Sequence, residues 1–246
     1  MLPSAERENR IHMSLVDEQF DLEVLRGAVR YQRWLLSTFG SALSGTVLEA
    51  GPGIGNFTRW LGPSVDTVVA VEPDPEMSKA VLALGLPNVT VLDTTLENLA
   101  GTDERFDCVF LCNVLEHIED DGGALRIAHS LVAPGGHICV VVPAHPRLFG
   151  SLDRRYGHLR RYRRDDVRAA LQRSGLVDVT ASYFNPVGAL GWWAVCRAAQ
   201  RPHLTPGSVW LSERLAVPLG RALERVGPPP FGQSVVAMGR KAAPPS

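Results

Sequence analysis

Between residues 45 and 143, short apolar runs alternate with helical stretches, and no other feature limits the fold as much. The runs are GTVLEA (45–50), DTVVAVE (66–72), NVTVLD (88–93), FDCVFLC (106–112) and GHICVVVP (136–143). Helices are expected to start near Gly55, Pro75, Leu96 and Gly122. Apolar strands separated by helices predict a parallel sheet covered on both faces. After Arg163 the pattern changes. RRDDVRAALQRSG (163–175) predicts a helix ended by Gly175, LVDVTASYF (176–184) a strand, and SVVAMGR (234–240) a final strand. A tight hairpin would need only a few residues between those last two strands, yet roughly fifty lie there.

These patterns predict a single α/β domain in four parts. Residues 1–44 form an N-terminal helical cap and 45–185 the ligand-binding core. Residues 186–232 form a helical lid insertion, or pack on a sheet edge, and 233–246 are the final strand and tail. Within the cap, Phe20, Val24, Leu25, Ala28, Tyr31, Trp34 and Leu35 have helical spacing and predict one helix from 19 to about 40. A length of 246 residues suits one domain. The net charge of -1 lacks the basic excess that nucleic-acid binding calls for. Cys108, Cys112, Cys139 and Cys196 form no paired motif, and their apolar surroundings predict free thiols in a reducing, cytoplasmic setting. MLPSAERENR has no apolar signal core, and polar residues and glycines interrupt the uncharged run 179–196, which argues against stable membrane insertion.

The stretch VLEAGPGIGNF (47–57) carries the first sign of chemistry. Gly51, Gly53 and Gly55 follow a strand and open a helix, where a ligand can touch bare main chain. A dinucleotide loop wants a small third residue, and in that register Asn56 stands there. Glu49 would repel a pyrophosphate and attract an ammonium. The second strand ends at Glu72, placed to accept bonds from a ribose diol. The third ends at Asp93, placed to accept from an exocyclic amine of adenine. Pro73 and Met77 offer apolar contact to a purine. Each acid alone reads equally as a solvated residue; three at successive strand ends beside the loop form a specific set.

With VVAVEPD, VTVLD, FDCVFLCNVLEHIED and LVAPGGHICVVVP following in order, the chain resembles the class I S-adenosylmethionine-dependent methyltransferases of the small-molecule type. The resemblance implies a Rossmann-like, seven-stranded, mostly parallel sheet with an antiparallel last strand and helices on both faces. It implies S-adenosyl-L-methionine as cofactor and S-adenosyl-L-homocysteine as product. Glu49 and the loop Gly51, Gly53 and Gly55 would serve the methionine part, Glu72 the ribose and Asp93 the adenine. Ala50, Asn56 and Thr94, beside them in sequence, complete the cofactor-contacting set. Asn113, after the fourth strand, would line the sulfonium region, and Tyr31 of the cap is either a cofactor contact or core.

Methyl transfer relies on the cofactor's reactivity and on alignment by the protein. A hydroxyl acceptor also benefits from a base, usually histidine. His117 follows the fourth strand and His145 the fifth. His158 lies in DRRYGHLRRYRRDD (153–166), a segment similar to one on the substrate side of some small-molecule methyltransferases. Each has a structural alternative. The arginines of that segment either hold an anionic substrate or pair with Asp153, Asp165 and Asp166 on a solvated face. Trp192 and Trp193 either wall a substrate or belong to the core. No carboxylate cluster at ligand spacing marks a metal site. The expected function is methylation of an oxygen or nitrogen of a small molecule, a secondary metabolite by analogy, by a monomer or homodimer. Rival readings are an NAD(P)-dependent oxidoreductase and a cofactor-binding protein with a different reaction. A nucleic-acid enzyme is disfavoured by charge and by the absence of its signature motifs.

Overall fold

The structure, a computed structural model, describes residues 20–193 and 205–243. Residues 1–19 of the expected cap, 194–204 of the expected lid (Cys196 among them) and the tail residues 244–246 lie outside the described residues. The strands are β1 (Thr46–Ala50), β2 (Thr67–Val71), β3 (Val89–Leu92), β4 (Phe106–Cys112), β5 (Val132–Pro143), β6 (Leu176–Phe184) and β7 (Ser234–Lys241). They form one sheet in the order β3-β2-β1-β4-β5-β7-β6. The first five pair in parallel, and β7 runs antiparallel between β5 and β6. The helices are α1 (Val29–Ser37), α2 (Thr58–Leu61), α3 (Pro75–Leu82), α4 (Asp121–Leu131), α5 (Ser151–Arg155), α6 (Arg164–Arg173), α7 (Pro186–Trp192), α8 (Pro206–Leu211) and α9 (Val217–Val226).

Successive strand residues face opposite sides, so the sheet carries two cores. Leu48, Val109, Leu111 and Val140 pack with Leu125 and Ala128 of α4 and Leu171 of α6. Val47, Cys108, Phe110 and Val141 pack with Trp34 and Leu35 of α1. Burial on both faces is why these strands are apolar nearly throughout. Outward from β1, chain order runs to β3 on one side and to β4 on the other. The crevice between the ends of β1 and β4 is therefore the switch point where open α/β sheets bind ligands.

Two expectations need correction. The helix expected over 19–40 is broken: residues 20–25 are helical, a turn follows at Arg26 and Gly27, and α1 begins at Val29. The new start is held from far away, because the Glu213 carboxylate accepts from the Arg30 N–H at 2.6 Å and the Tyr31 N–H at 2.9 Å. Those amides would otherwise be orphans of a helix end. The helix expected near Leu96 is a single 3-10 turn, Glu97–Leu99. The start at Pro75 is as expected: Asp74 caps α3 by accepting from the Glu76 and Met77 amides at 2.8 and 3.0 Å.

Candidate functional site

The loop after β1 turns sharply. Gly51, Gly53 and Gly55 have φ of 64°, 58° and 81°, a region that costs other residues about 1–2 kcal/mol. Space is limiting as well. A Cβ on Gly51 would lie 2.8 Å from Cγ2 of Val114, the residue after Asn113 at the end of β4. The loop is roofed by the N-terminal segment. Leu22 lies over Gly53, the Asn56 side-chain amide donates to the Leu22 carbonyl at 2.9 Å, and Asp21 accepts from the Tyr156 hydroxyl. That segment thus spans from the glycine loop to the turn following α5.

Two buried carboxylates flank the loop. Glu49, in β1, is 2% exposed and accepts from the Thr58 hydroxyl at 2.7 Å. Burial pushes its carboxyl up to about 7; the Thr58 bond opposes the shift and the Glu72 charge adds to it. Glu72 accepts from the Gly53 N–H at 2.9 Å through one oxygen and from the Asp74 N–H at 3.1 Å through the other. Its carboxyl is also raised, by burial, against those two bonds. Each oxygen keeps acceptor capacity for a diol. The Asn56 side-chain oxygen is buried with no donor among the described residues. A buried carboxylate that holds one hydroxyl bond gains its charge most readily beside a cation, so the residues fit an amine-bearing nucleoside.

The remaining expected contacts lie along the same edge. Ala50 ends β1 and is buried. Pro73 is exposed before α3, while Met77, in α3, is buried. Asp93 is exposed beyond β3, and Thr94 accepts from the Asn98 amide at 3.0 Å. Asn113 is exposed with φ 55°, its N–H donating to Val141 O at 2.9 Å. Tyr31 packs on Phe184 with ring centroids 5.8 Å apart. Its hydroxyl sits in the field of Cys112 and bonds Ser234, and burial raises its pKa far above the usual value. Tyr31 thus lies under the ends of β4 and β7.

The three histidines divide. His145, with φ 60°, stacks on Tyr183 at 4.6 Å and accepts from the Gly232 N–H at 3.4 Å through Nε2. Burial and then the Arg161 charge lower its pKa. His117 and His158 instead meet edge to face, ring centroids 4.8 Å apart, beside the fully buried Glu116. Burial, with a smaller push from His158, lowers His117 to about 4. His158 Nδ1 lies 2.9 Å from Oδ1 of Asp153. That same oxygen accepts from Arg161 Nε at 2.7 Å. Burial raises the Asp153 carboxyl, but bonds from His158, Arg161 and Gly150 outweigh it and hold it below the ordinary range.

The arginine-rich segment is therefore not one solvated face. Arg161 and Asp153 are a buried pair, with Arg161 stacked over Trp192 at 4.8 Å, whereas Arg164 and Asp165 pair in solvent. Trp193 is exposed. Thr58, Leu22, Glu116 and the orienting role of Asp153 escaped the sequence reading. Only the turn to helix after Gly55 hinted that Thr58 would face back toward β1.

A family model described as a methyltransferase domain matches residues 25–181. Among curated proteins, the chain is 33% identical over 93 residues to a ubiquinone biosynthesis O-methyltransferase of Methylocella silvestris, covering 37% of this chain and 36% of that protein. It is 27% identical over 131 residues to a ubiquinone/menaquinone biosynthesis C-methyltransferase of Pasteurella multocida, covering 48% and 47%. The chain thus spans less than half the length of either. Among solved structures, the DhpI–SAH complex aligns with a TM-score of 0.60 at 18% identity over 95% of both chains. The N-methyltransferase NodS from Bradyrhizobium japonicum aligns with a TM-score of 0.56 at 18% identity, covering 86% and 94%. At these identities the two structures show the shared fold.

Proposed function

Because the chain belongs to the methyltransferase-domain family, we propose that it moves a methyl group from S-adenosyl-L-methionine to an oxygen or nitrogen of a small molecule, releasing S-adenosyl-L-homocysteine. The observation that carries this reading is Glu49: a carboxylate buried beneath a glycine loop, with one hydroxyl donor. It answers a ligand amine and disfavours the pyrophosphate of a nicotinamide dinucleotide. The cofactor supplies an electrophilic methyl on a cationic sulfur. The protein's part is placement and electrostatics. Glu49 takes the ammonium, Glu72 the ribose hydroxyls and Asp93 the adenine amine, while Leu22 and Tyr31 exclude water from the two sides. Ala50, Asn56, Pro73, Met77, Thr94 and Asn113 fill the walls.

On the acceptor side stand His117, His145 and His158. A hydroxyl acceptor must lose a proton as the new bond to carbon forms, and we assign its receipt to His158, a reading supported by the Asp153 carboxylate 2.9 Å from its Nδ1. Of the two curated relatives, one carries the name of an O-methyltransferase and the other that of a C-methyltransferase, and the first supports an oxygen acceptor. A secondary metabolite is the acceptor class we favour. Calorimetry with S-adenosyl-L-homocysteine tests the cofactor assignment: wild type should bind at one site, and Glu72→Ala should weaken binding tenfold or more, about 1.4 kcal/mol. No binding by wild type, or unchanged affinity in the variant, would overturn it.

A further inference from the structure

Beyond the glycine loop, three side chains able to ligate a metal converge at the end of β4. Glu116 and His117 come from the 3-10 turn Leu115–His117, and His158 comes from the loop after α5. One ligand atom from each lies within 4.8 Å of the others. The two segments are tied by main chain, since the Leu159 N–H donates to Glu116 O, and the His158 N–H bonds Asp153 O within its own loop, both at 2.8 Å. With Nδ1–H given to Asp153, a neutral His158 presents the Nε2 lone pair to Glu116 Oε1 at 3.9 Å. That gap is too long for a hydrogen bond. A carboxylate behind an imidazole whose other nitrogen faces further donors is how proteins orient metal-ligating histidines. Bonds of about 2.0–2.2 Å to a tetrahedral ion set ligand atoms roughly 3.4 Å apart, so side-chain shifts on the order of 1 Å close the cluster.

We infer that Glu116, His117 and His158 form a binding site for a divalent transition-metal ion, zinc in particular, with Asp153 as the positioning residue for His158. Two imidazoles and one carboxylate match the ligand set of zinc centres that keep a position open for an oxygen ligand. The cluster adjoins the glycine-loop site: Val114, which directly precedes the turn Leu115–His117, has its Cγ2 2.8 Å from where a Cβ on Gly51 would lie. A metal-bound hydroxyl ionises far more readily than a free one. In methyl transfer the two histidines would then act as ligands and not as free bases. That last role rests on the methyl-transfer reading, whereas ion binding does not.

The test uses the full chain stripped with chelator and titrated with zinc alone, in competition with a chromophoric chelator, and with cobalt as a spectroscopic probe. Wild type should take up one zinc per chain and give the intense visible bands of low-coordinate cobalt. Glu116→Gln, His117→Ala and His158→Ala should each weaken zinc binding more than 10-fold, and Asp153→Asn by roughly 10–100-fold. Circular dichroism and a thermal melt of the same samples report whether each variant is folded, and S-adenosyl-L-homocysteine affinity, measured separately, keeps this proposal distinct from the cofactor assignment. If His117→Ala fails that control, His117→Asn takes its place. Absence of stoichiometric zinc uptake by wild type, or uptake unchanged by a folded His117 variant, overturns the inference.

Discussion

Replacing Glu49 by glutamine should move stability and cofactor affinity in opposite directions. The free glutamate titrates near 4.5, and in the fold its carboxyl is pushed up to about 7 by burial. Between those values the folded chain holds a proton that the unfolded chain has released. Stability therefore falls as pH rises through this window, the reverse of a salt-bridged carboxylate. At about 1.36 kcal/mol per unit, the shift amounts to roughly 3 kcal/mol of stability present at low pH and lost above pH 7. Glu49→Gln keeps the shape, keeps an acceptor for Thr58 and never ionises. Urea denaturation should find it about 1–3 kcal/mol more stable than wild type at pH 8 and nearly equal to it at pH 4.5.

Affinity should respond the other way. An ammonium binds the ionised carboxylate, so the apparent affinity scales with the fraction of Glu49 that is ionised, and the apparent Kd with its inverse. Lowering the pH from 7 to 5.5, where the ligand amine stays charged, should weaken S-adenosyl-L-homocysteine binding to wild type roughly 15-fold. Glutamine removes a charge-assisted bond worth about 1.5–3 kcal/mol, a loss of about 10–150-fold, and flattens the pH profile. Calorimetry at matched ionic strength checks both. A wild-type profile flat between those pH values, or a glutamine variant binding within threefold of wild type, refutes the amine assignment whatever the stability data show.

Two further outcomes follow from geometry. Gly51→Ala should cost about 2–3 kcal/mol in a denaturation series, because it adds a clash with the stiff Val114 to the cost of its φ of 64°. Gly85→Ala, with φ 63° and open space around it, should cost only about 1 kcal/mol, and equal losses would show that packing against Val114 is irrelevant. Asp153→Asn strands the buried Arg161 guanidinium, so unfolding free energy should drop by about 3–5 kcal/mol; a drop below 1 kcal/mol would show the pair to be solvated.

The strands were legible because doubly buried strands leave a signal that needs no tertiary information. FDCVFLC and LVDVTASYF coincide with β4 and β6 residue for residue. The placement of Glu49 and Glu72 followed, since a strand's end fixes which edge of a parallel sheet its last residues occupy. The break before α1 was not legible, because the group that caps it, Glu213, is set by how the later helices return. The same reasoning explains Leu22 and Thr58, whose roles exist only once the N-terminal segment crosses the loop.

The segment 153–166 misled for a different reason. Its charge density reads as solvated, and nothing local separates Arg161, which is buried, from Arg164, which is not. What decides is closure of the excursion after β5. The His145 N–H donates to Tyr162 O at 2.8 Å and the Tyr162 N–H donates to Pro143 O at 2.9 Å, pinning both ends of the loop together. Tyr162 also donates through its hydroxyl to Leu115 O at 3.0 Å, so the pinned end rests on the turn that carries Glu116 and His117. With its ends fixed there, the loop must fold back over the end of β4, and the charges on its inner side have to find partners within it. Asp153 meets Arg161 and His158 for that reason, and His158 meets His117 although 41 positions separate them in the chain. Main-chain closure at both ends of the loop builds the site, and no local run of residues encodes it.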